Sequence, residues 1–442
     1  MKTKIRSICY LPLVMLLMVA THAQHDDNEA EHQQDTSHAF LPSNTDHIQV
    51  TSSTHRNRYL IYDVNDSEGF NLRRDVYMRI ANLIIQLNQR QHYHWTLVLP
   101  PWKRMYHWRS TPSPKQFPLP WKTFFDISSL NKFIPVMEYQ DYINQFGQTI
   151  DEIIYLQPYP DPFEGGQFVD KVEETNCQSN QKYKLMNGNY YGYFFGLKGI
   201  TARKLRCMLA QGMTSIIIPK LQQSKARLIL LDRAENLLHE AYGQVGYWNS
   251  RRSLVFAQHL RDEGNRYRQE ILNSTDEQDH IVRHSDWRLL NVKKSKKRGG
   301  NYLAVHLRRR DFLQGRKNDI PSLEEAVLQI KSAMKKTNLS KVFLATDAEE
   351  SEIAILKSKL PINTYQATPD RIQQFGDGGI AIIDQWICAH AKYFIGSKES
   401  TFSFRIYEER ELMGFKSKMT YNQLCNHHQS NCEGPSEWKV VY

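Results

Sequence analysis

A chain of 442 residues is long enough for two domains, each with its own core. Its 40% hydrophobic and 11% aromatic residues exclude a disordered or fibrous protein. The net charge of +10 includes Lys2, Lys4 and Arg6 at the N-terminus, and the modest excess beyond them suits an anionic substrate such as a nucleotide sugar.

Lys2, Lys4 and Arg6 precede an apolar run from Ile8 to Ala20 that is too short for a membrane span. Thr21-His22-Ala23 then offers a cleavage site, so residues 1–23 read as a signal peptide. Residues 24–46 are rich in Asp, Glu, Gln, Asn and His and read as a disordered leader. No later run reaches about twenty apolar residues, so the expectation is a soluble secretory protein without a membrane span. The basic run from Lys293 to Arg298 reads as a solvated loop, and with a secretory address nucleic acid is not expected as a partner.

An oxidising compartment favours disulfides. Cys177 and Cys207 are expected to bridge one loop-rich region, and Cys425 and Cys432 to close a short polar loop in the tail. Cys388 falls inside an apolar helical pattern and reads as a buried free thiol. Of the sequons at Asn65, Asn273 and Asn338, Asn273 lies in a polar stretch and is the best glycosylation candidate.

Structure is first expected at Arg58. An apolar run, Tyr59 to Tyr62, enters a polar loop holding Glu68, and Val76, Ile80, Leu83, Ile84 and Leu87 then recur on one helical face. This is strand, loop, helix, with an acid beside a helix N-terminus where free N–H groups welcome phosphate. By itself Glu68 fits a first-turn acid that complements the helix dipole; beside a phosphate site, it fits a base. Trp95 to Leu99 is a second strand, ended by Pro100-Pro101 and parallel to the first. From Trp102 to Gly199 the chain is aromatic and rich in Pro and Gly, and its elements are not legible.

The second half alternates more clearly. Tyr302–His306 is a strand, and Ser322 and Glu325 sit at capping-box spacing at the start of a helix. Lys341–Ala345 is the next strand, followed by a helix through Ile353 and Leu356. Gly378-Gly379 precedes a helix through Ile380, Ile383 and Ile387, and Tyr393–Ile395 is another strand. Such alternation predicts an open α/β sheet whose ligands bind at the carboxyl ends of its strands. Those ends carry His306-Leu307-Arg308-Arg309-Arg310-Asp311, and Ser400-Thr401-Phe402 ahead of a helix through Arg405 and Glu409. Arg308 shares a face with His306 if the strand continues, which makes it the arginine for a departing diphosphate. Arg309 and Arg310 read as a salt-bridge patch with Asp311. No Asp-X-Asp occurs, so arginine, hydroxyls and helix N-termini are left to neutralise a leaving diphosphate.

Glu68-Gly69-Phe70-Asn71-Leu72-Arg73-Arg74-Asp75, Pro100-Pro101-Trp102, the run from His306 to Asp311, Ile382 to His390, and Ser400 to Arg405 follow one another in an order that resembles the protein O-fucosyltransferases acting on thrombospondin type 1 repeats. The likeness runs from about Arg58 to Tyr442. It implies a GT-B architecture: two Rossmann-like domains, at 47–250 and 251–442, with the active site in the cleft between them. It implies inverting, metal-independent transfer of fucose from GDP-fucose to Ser or Thr of a folded repeat, by a monomer of the endoplasmic reticulum or Golgi lumen. Glu68 then matches the catalytic base and Arg308 the arginine on the β-phosphate. Ser67, Gly69, Phe70, Asn71, His306, Leu307, Asp384, Thr401 and Phe402 match donor-binding positions, with Asp384 reading the nucleoside. Glu409 matches an acid required for activity. Asp66-Ser67 departs from the proline expected before the base. Two rival readings are a fucosyltransferase acting on glycans, which commonly carries a transmembrane stem, and a non-catalytic chaperone that binds folded repeats.

Overall fold

In the computed structural model, strand β1 (Asn57–Tyr62) is buried along all but its first residue, and the helix after it, α1 (Phe70–Gln89), buries Val76, Ile80, Leu83, Ile84 and Leu87. The structure describes residues 57–90, 92–105, 107–108, 117–177, 182–426 and 434–442. The expected signal peptide and leader lie outside these residues, as does Cys432.

Further strands are β2 (His94–Leu99), β3 (Val136–Glu138), β4 (Thr149–Gln157), β5 (Thr201–Met213) and β6 (Leu228–Asp232). They lie parallel in the order β3-β2-β1-β6-β4-β5. An excursion between β4 and β5 adds short antiparallel strands, among them Lys171–Thr175 and the hairpin Lys184–Met186 with Asn189–Tyr191. The strand order turns beside β1, and the crevice outside the carboxyl ends of such a turn is where α/β sheets bind ligands. Cys177 and Cys207 are disulfide-bonded and tie the excursion to β5, while Cys388 is free and buried.

The second sheet holds β7 (Gly300–Leu307), β8 (Val342–Thr346), β9 (Ile362–Asn363), β10 (Ala391–Ser397) and β11 (Gln423–Leu424), all parallel, in the order β9-β8-β7-β10-β11. Between the two sheets run α2 (Val245–Ser253) and α3 (Gln258–Tyr267); α4 (Leu323–Thr337), α5 (Pro369–His390) and α6 (Thr401–Leu412) belong to the second half. The capping box is formed, with Ser322 and Glu325 each accepting the other's backbone N–H. Helix α5 starts nine residues before the Gly378-Gly379 pair because Pro369 suits a first helical turn. It kinks at Gly376, whose φ of 62° favours glycine.

The aromatic segment that the sequence left illegible is mostly core. Trp102, Trp108, Trp121, Phe124 and Phe125 are buried around Phe70, with the Phe70 and Trp102 ring centroids 4.9 Å apart. Helix α5 presses against this cluster: a Cβ on Gly378 would lie 2.8 Å from Phe124 and 2.9 Å from Trp108. One buried apolar cluster therefore runs through both halves, from Leu60 and Val76 to Ile383, Trp386 and Ile406. Among the described residues no helix is long and apolar enough to cross a membrane.

Candidate active site

Asp63, just past the end of β1, organises the loop that carries Glu68. Its buried carboxylate accepts the Val64 N–H at 2.8 Å and faces Arg73 at 3.5 Å, Lys103 at 3.4 Å and Lys182 at 3.4 Å. Burial alone would raise its pKa, but the three cations outweigh that and hold it below the ordinary carboxylate value. Arg73 also donates to the carbonyls of Glu68 at 3.1 Å and Asn65 at 2.9 Å, and the Glu68 N–H donates to Asn65 O at 3.0 Å. Lys103 reaches Asp66 as well. In place of the expected proline, an ion pair holds the loop.

The Glu68 carboxylate itself takes no hydrogen bond and no ion pair within 4 Å among the described residues. It is half-buried, and that burial raises its pKa while Arg73, Arg79 and Arg233 pull it back. Such a carboxylate is free to accept a proton. The N-cap position, Gly69, carries no side-chain cap, which leaves first-turn N–H groups of α1 for an anion. Ser67 is exposed beside it. The Phe70 ring is only 2% exposed, inside the aromatic cluster, so its backbone is the part left to meet a donor. Asn71 accepts from Gln385 at 2.8 Å and from Arg74 at 3.2 Å, joining the base loop to α5 of the other half.

Across the cleft, β7 ends at Leu307, so Arg308 leaves the strand instead of continuing it. It donates to Asp347 at 2.6 Å and Asp311 at 2.6 Å, and Ser397 Oγ accepts its backbone N–H at 2.8 Å. The partner of Asp311 is thus Arg308, and not Arg309 or Arg310 as expected. Arg309 is buried against Glu352 and the Pro321 carbonyl, and Arg310 lies near Glu349. Arg308, unlike the buried Arg309, keeps its guanidinium partly exposed, oriented by two acids that a diphosphate would compete with. The Leu307 side chain is fully buried in the core of the second sheet, which leaves its backbone at the strand end to meet a donor.

His306 is buried, with Nδ1 2.8 Å from Ser403 Oγ, and its ring stacks on Phe402 at 4.3 Å between centroids. Burial, helped by Arg308, pushes its pKa down to about 3, so it stands neutral. The Phe402 ring and Thr401 stay half-exposed at the start of α6. Asp384 on α5 is another acid without a full set of partners. Its Oδ1 is buried with no hydrogen-bond partner among the described residues, and burial pushes its pKa up to about 8. A carboxyl held this way suits a ligand that brings N–H donors.

Glu409 is tied into the scaffold. Arg251 on α2 donates to Glu409 at 2.7 Å and to Glu408 at 2.7 Å, while Arg405 reaches Glu408 at 3.0 Å and Asp75 of α1 at 3.5 Å. These pairs join α1, α2 and α6 across the halves. Arg74, Gln385 and Lys103 carried no separate signal in the sequence, because their partners are distant in the chain. Asn273 is exposed at the end of a short helical turn in a left-handed conformation. A separate concavity of about 630 Å³, lined by Thr149, Asp151, Arg203 and Arg227, lies at the opposite, amino ends of the strands and holds none of these residues. Among the described residues no group of three or more His, Cys, Asp or Glu is placed to hold a metal.

The sequence model of the GDP-fucose protein O-fucosyltransferase family matches residues 59–413. The chain belongs to this family. It is 47% identical over 407 residues to the GDP-fucose protein O-fucosyltransferase 2 of Homo sapiens, covering 91% of this chain and 94% of the relative. The enzyme of the same name from Caenorhabditis elegans is 41% identical over 396 residues, with 87% and 90% covered, and that from Drosophila melanogaster 35% over 411 residues, with 87% and 82% covered. A crystal structure of POFUT1 in complex with GDP superposes with a TM-score of 0.53 at 14% identity, covering 84% of this chain and 99% of that one. The fold is accordingly GT-B, two Rossmann-like halves around a cleft, and the chain is a peptide-O-fucosyltransferase.

Proposed function

We propose that this enzyme transfers fucose from GDP-fucose to a Ser or Thr hydroxyl of a folded thrombospondin type 1 repeat, with inversion and without a metal, in the lumen of the secretory pathway. The observation that carries the reading is the unpaired Glu68 carboxylate, held by Asp63, Arg73 and Lys103 beside the free N-terminus of α1. The acceptor oxygen attacks the anomeric carbon as the bond to the β-phosphate breaks, and a single displacement inverts the centre. Glu68 takes the hydroxyl proton, a role worth about 10²–10⁴ in rate. Arg308 receives the negative charge of the departing GDP, turning from Asp347 and Asp311 to the diphosphate. Asp384 meets N–H donors of the guanine, and the Phe402 ring and Thr401 line the pocket beside His306.

A folded acceptor is favoured because a preformed surface enters a wide cleft without the ordering entropy an unfolded peptide loses. The test incubates the purified chain with GDP-fucose and a native repeat, a reduced and alkylated repeat, or a folded epidermal-growth-factor-like domain, each with and without EDTA. A mass gain of one deoxyhexose on the native repeat alone, unchanged by EDTA, is the expected result. Labelling of the reduced repeat, or loss of activity restored by Mn²⁺, would overturn the acceptor or the metal-independent part respectively.

A further inference from the structure

The carboxyl ends of β1 and β6 lie side by side, since the two strands pair in register from Tyr59 with Leu228 to Tyr62 with Leu231. The turn after β6 therefore sits against the base loop, with the Ala234 N–H donating to Asp63 O at 3.0 Å. That turn is made by Arg233, Ala234, Glu235 and Asn236. Arg233 adopts a left-handed conformation with φ 62°, uncommon for a residue with a side chain. Its guanidinium lies 5.9 Å from the Tyr155 ring centroid near the end of β4. Arg79 of α1 fixes the far side of the turn by donating to the carbonyls of Glu235 at 3.2 Å and Leu237 at 2.6 Å.

Glu235 is held in this turn with Oε2 buried and no hydrogen-bond partner among the described residues. Its carboxyl has its own backbone N–H as a hydrogen-bond donor and lies within electrostatic reach of Glu68. No partner in the fold accounts for an acid placed there, and a buried polar atom left without one calls for an explanation.

We propose that Glu235 is a positioning residue for the transfer reaction: a second carboxyl, in the turn packed against the base loop, that donates a hydrogen bond on the acceptor side of Glu68. The inference rests on Glu68 being the base. Burial pushes Glu235 up to about 7, with Glu68 and Asp232 adding to the rise and Arg233 opposing it. Burial raises Glu68 as well, and there Arg73 and Arg79 of α1 and Arg233 of the turn oppose the rise. Asp63, Asp66, Lys103, Lys182 and Asp232 complete the charges packed around the loop. Three arginines oppose the rise at Glu68 and only Arg233 does so at Glu235, so of the two carboxyls Glu235 keeps a proton more readily. The acceptor's proton goes to Glu68; Glu235 keeps its own and holds the attacking group in place.

The test is the pH profile of kcat/KM, which reports the groups of the free enzyme, for GDP-fucose and a native repeat. The wild type should fall on the alkaline side as Glu235 ionises. Glu235→Gln keeps a donor of the same shape without a titrating proton; it should lose about threefold at pH 6 and show no alkaline limb, its acid limb unmoved. Glu235→Ala should lose about tenfold across the range, the worth of one hydrogen bond, with an unchanged unfolding midpoint. An alkaline limb that persists in Glu235→Gln, or wild-type turnover in Glu235→Ala, overturns the proposal. Glu68→Gln, run in parallel, separates the two failures: if it stays active, the base assignment has failed and the inference with it; if it is inactive while the Glu235→Gln profile matches wild type, only the role of Glu235 has failed.

Discussion

The two walls of the cleft are prepared in opposite ways. On the N-terminal side, Asp63, Asp66, Arg73, Lys103, Lys182 and Asp232 pair with one another before any ligand arrives, leaving Glu68 and Glu235 as the uncommitted acids. On the C-terminal side, the key groups are either orphaned, as Asp384 is, or engaged with partners a ligand can replace, as Arg308 is with Asp347 and Asp311. The lesson is physical. Under the proposed roles, a base must be in place before the proton moves, so the fold supplies its supports, while a donor site is completed by the donor's own charges and N–H groups.

The sharpest way to break this contrast is Glu68→Gln or Glu68→Ala. Turnover should drop by about 10²–10⁴ while GDP affinity, measured calorimetrically, stays within about twofold, because the acid stands beside the phosphate site and not in it. Turnover within tenfold of wild type would remove Glu68 as the base. Arg308→Ala should act on both quantities, weakening GDP binding and lowering turnover by about 10²–10³, with Arg308→Lys recovering only part because it lacks the planar fork. If GDP binding were untouched, Arg308 would be serving only its two acids.

A third comparison separates chemistry from scaffold. Glu409→Ala should lower the unfolding midpoint as well as turnover, since buried Arg251 loses one of its two carboxylates and keeps Glu408 and the Arg405 carbonyl. The loss should be below the about 3–5 kcal/mol of a fully orphaned buried pair. A variant that loses turnover at unchanged stability would put Glu409 in the chemistry.

Asp384 gives a pH signature. Its pKa in the free fold is raised to about 8 from 3.8, so the native state holds a proton that the unfolded chain has released. Stability therefore falls as pH climbs from about 4 to 8, by at most about 1.4 kcal/mol per unit. Asp384→Asn should remove that slope, unfolding at higher temperature than wild type at pH 8 and no higher at pH 4. GDP binding should show the reverse: N–H donors favour the ionised carboxylate, so wild-type affinity rises toward pH 8 and the Asn variant binds weakly at every pH. Parallel thermal and calorimetric titrations check both signs. The smallest effect belongs to Asp66→Ala, which removes an exposed acid from Lys103, a buried cation that keeps Asp63; stability should change by under about 1 kcal/mol and turnover by under about threefold.

The sequence by itself determined the local pieces. The spacing of Val76, Ile80, Leu83 and Leu87 and the Ser322–Glu325 capping box required nothing from afar, because a helical face and a cap are written within a few residues. The order of motifs from Glu68 to Arg405 was likewise enough to place the chain beside its family. Tertiary structure decided which charges meet. It put Asp311 on Arg308, buried Arg309 against Glu352, enclosed the side chains of Phe70 and Leu307, and packed the turn of Glu235 against the base loop. It also turned the unreadable Trp102–Phe125 stretch into core around Phe70. Apart from the Arg308–Asp311 pair, each of these depends on partners tens to hundreds of residues apart. Burial and electrostatics are properties of the assembled environment, and no short window of sequence contains it.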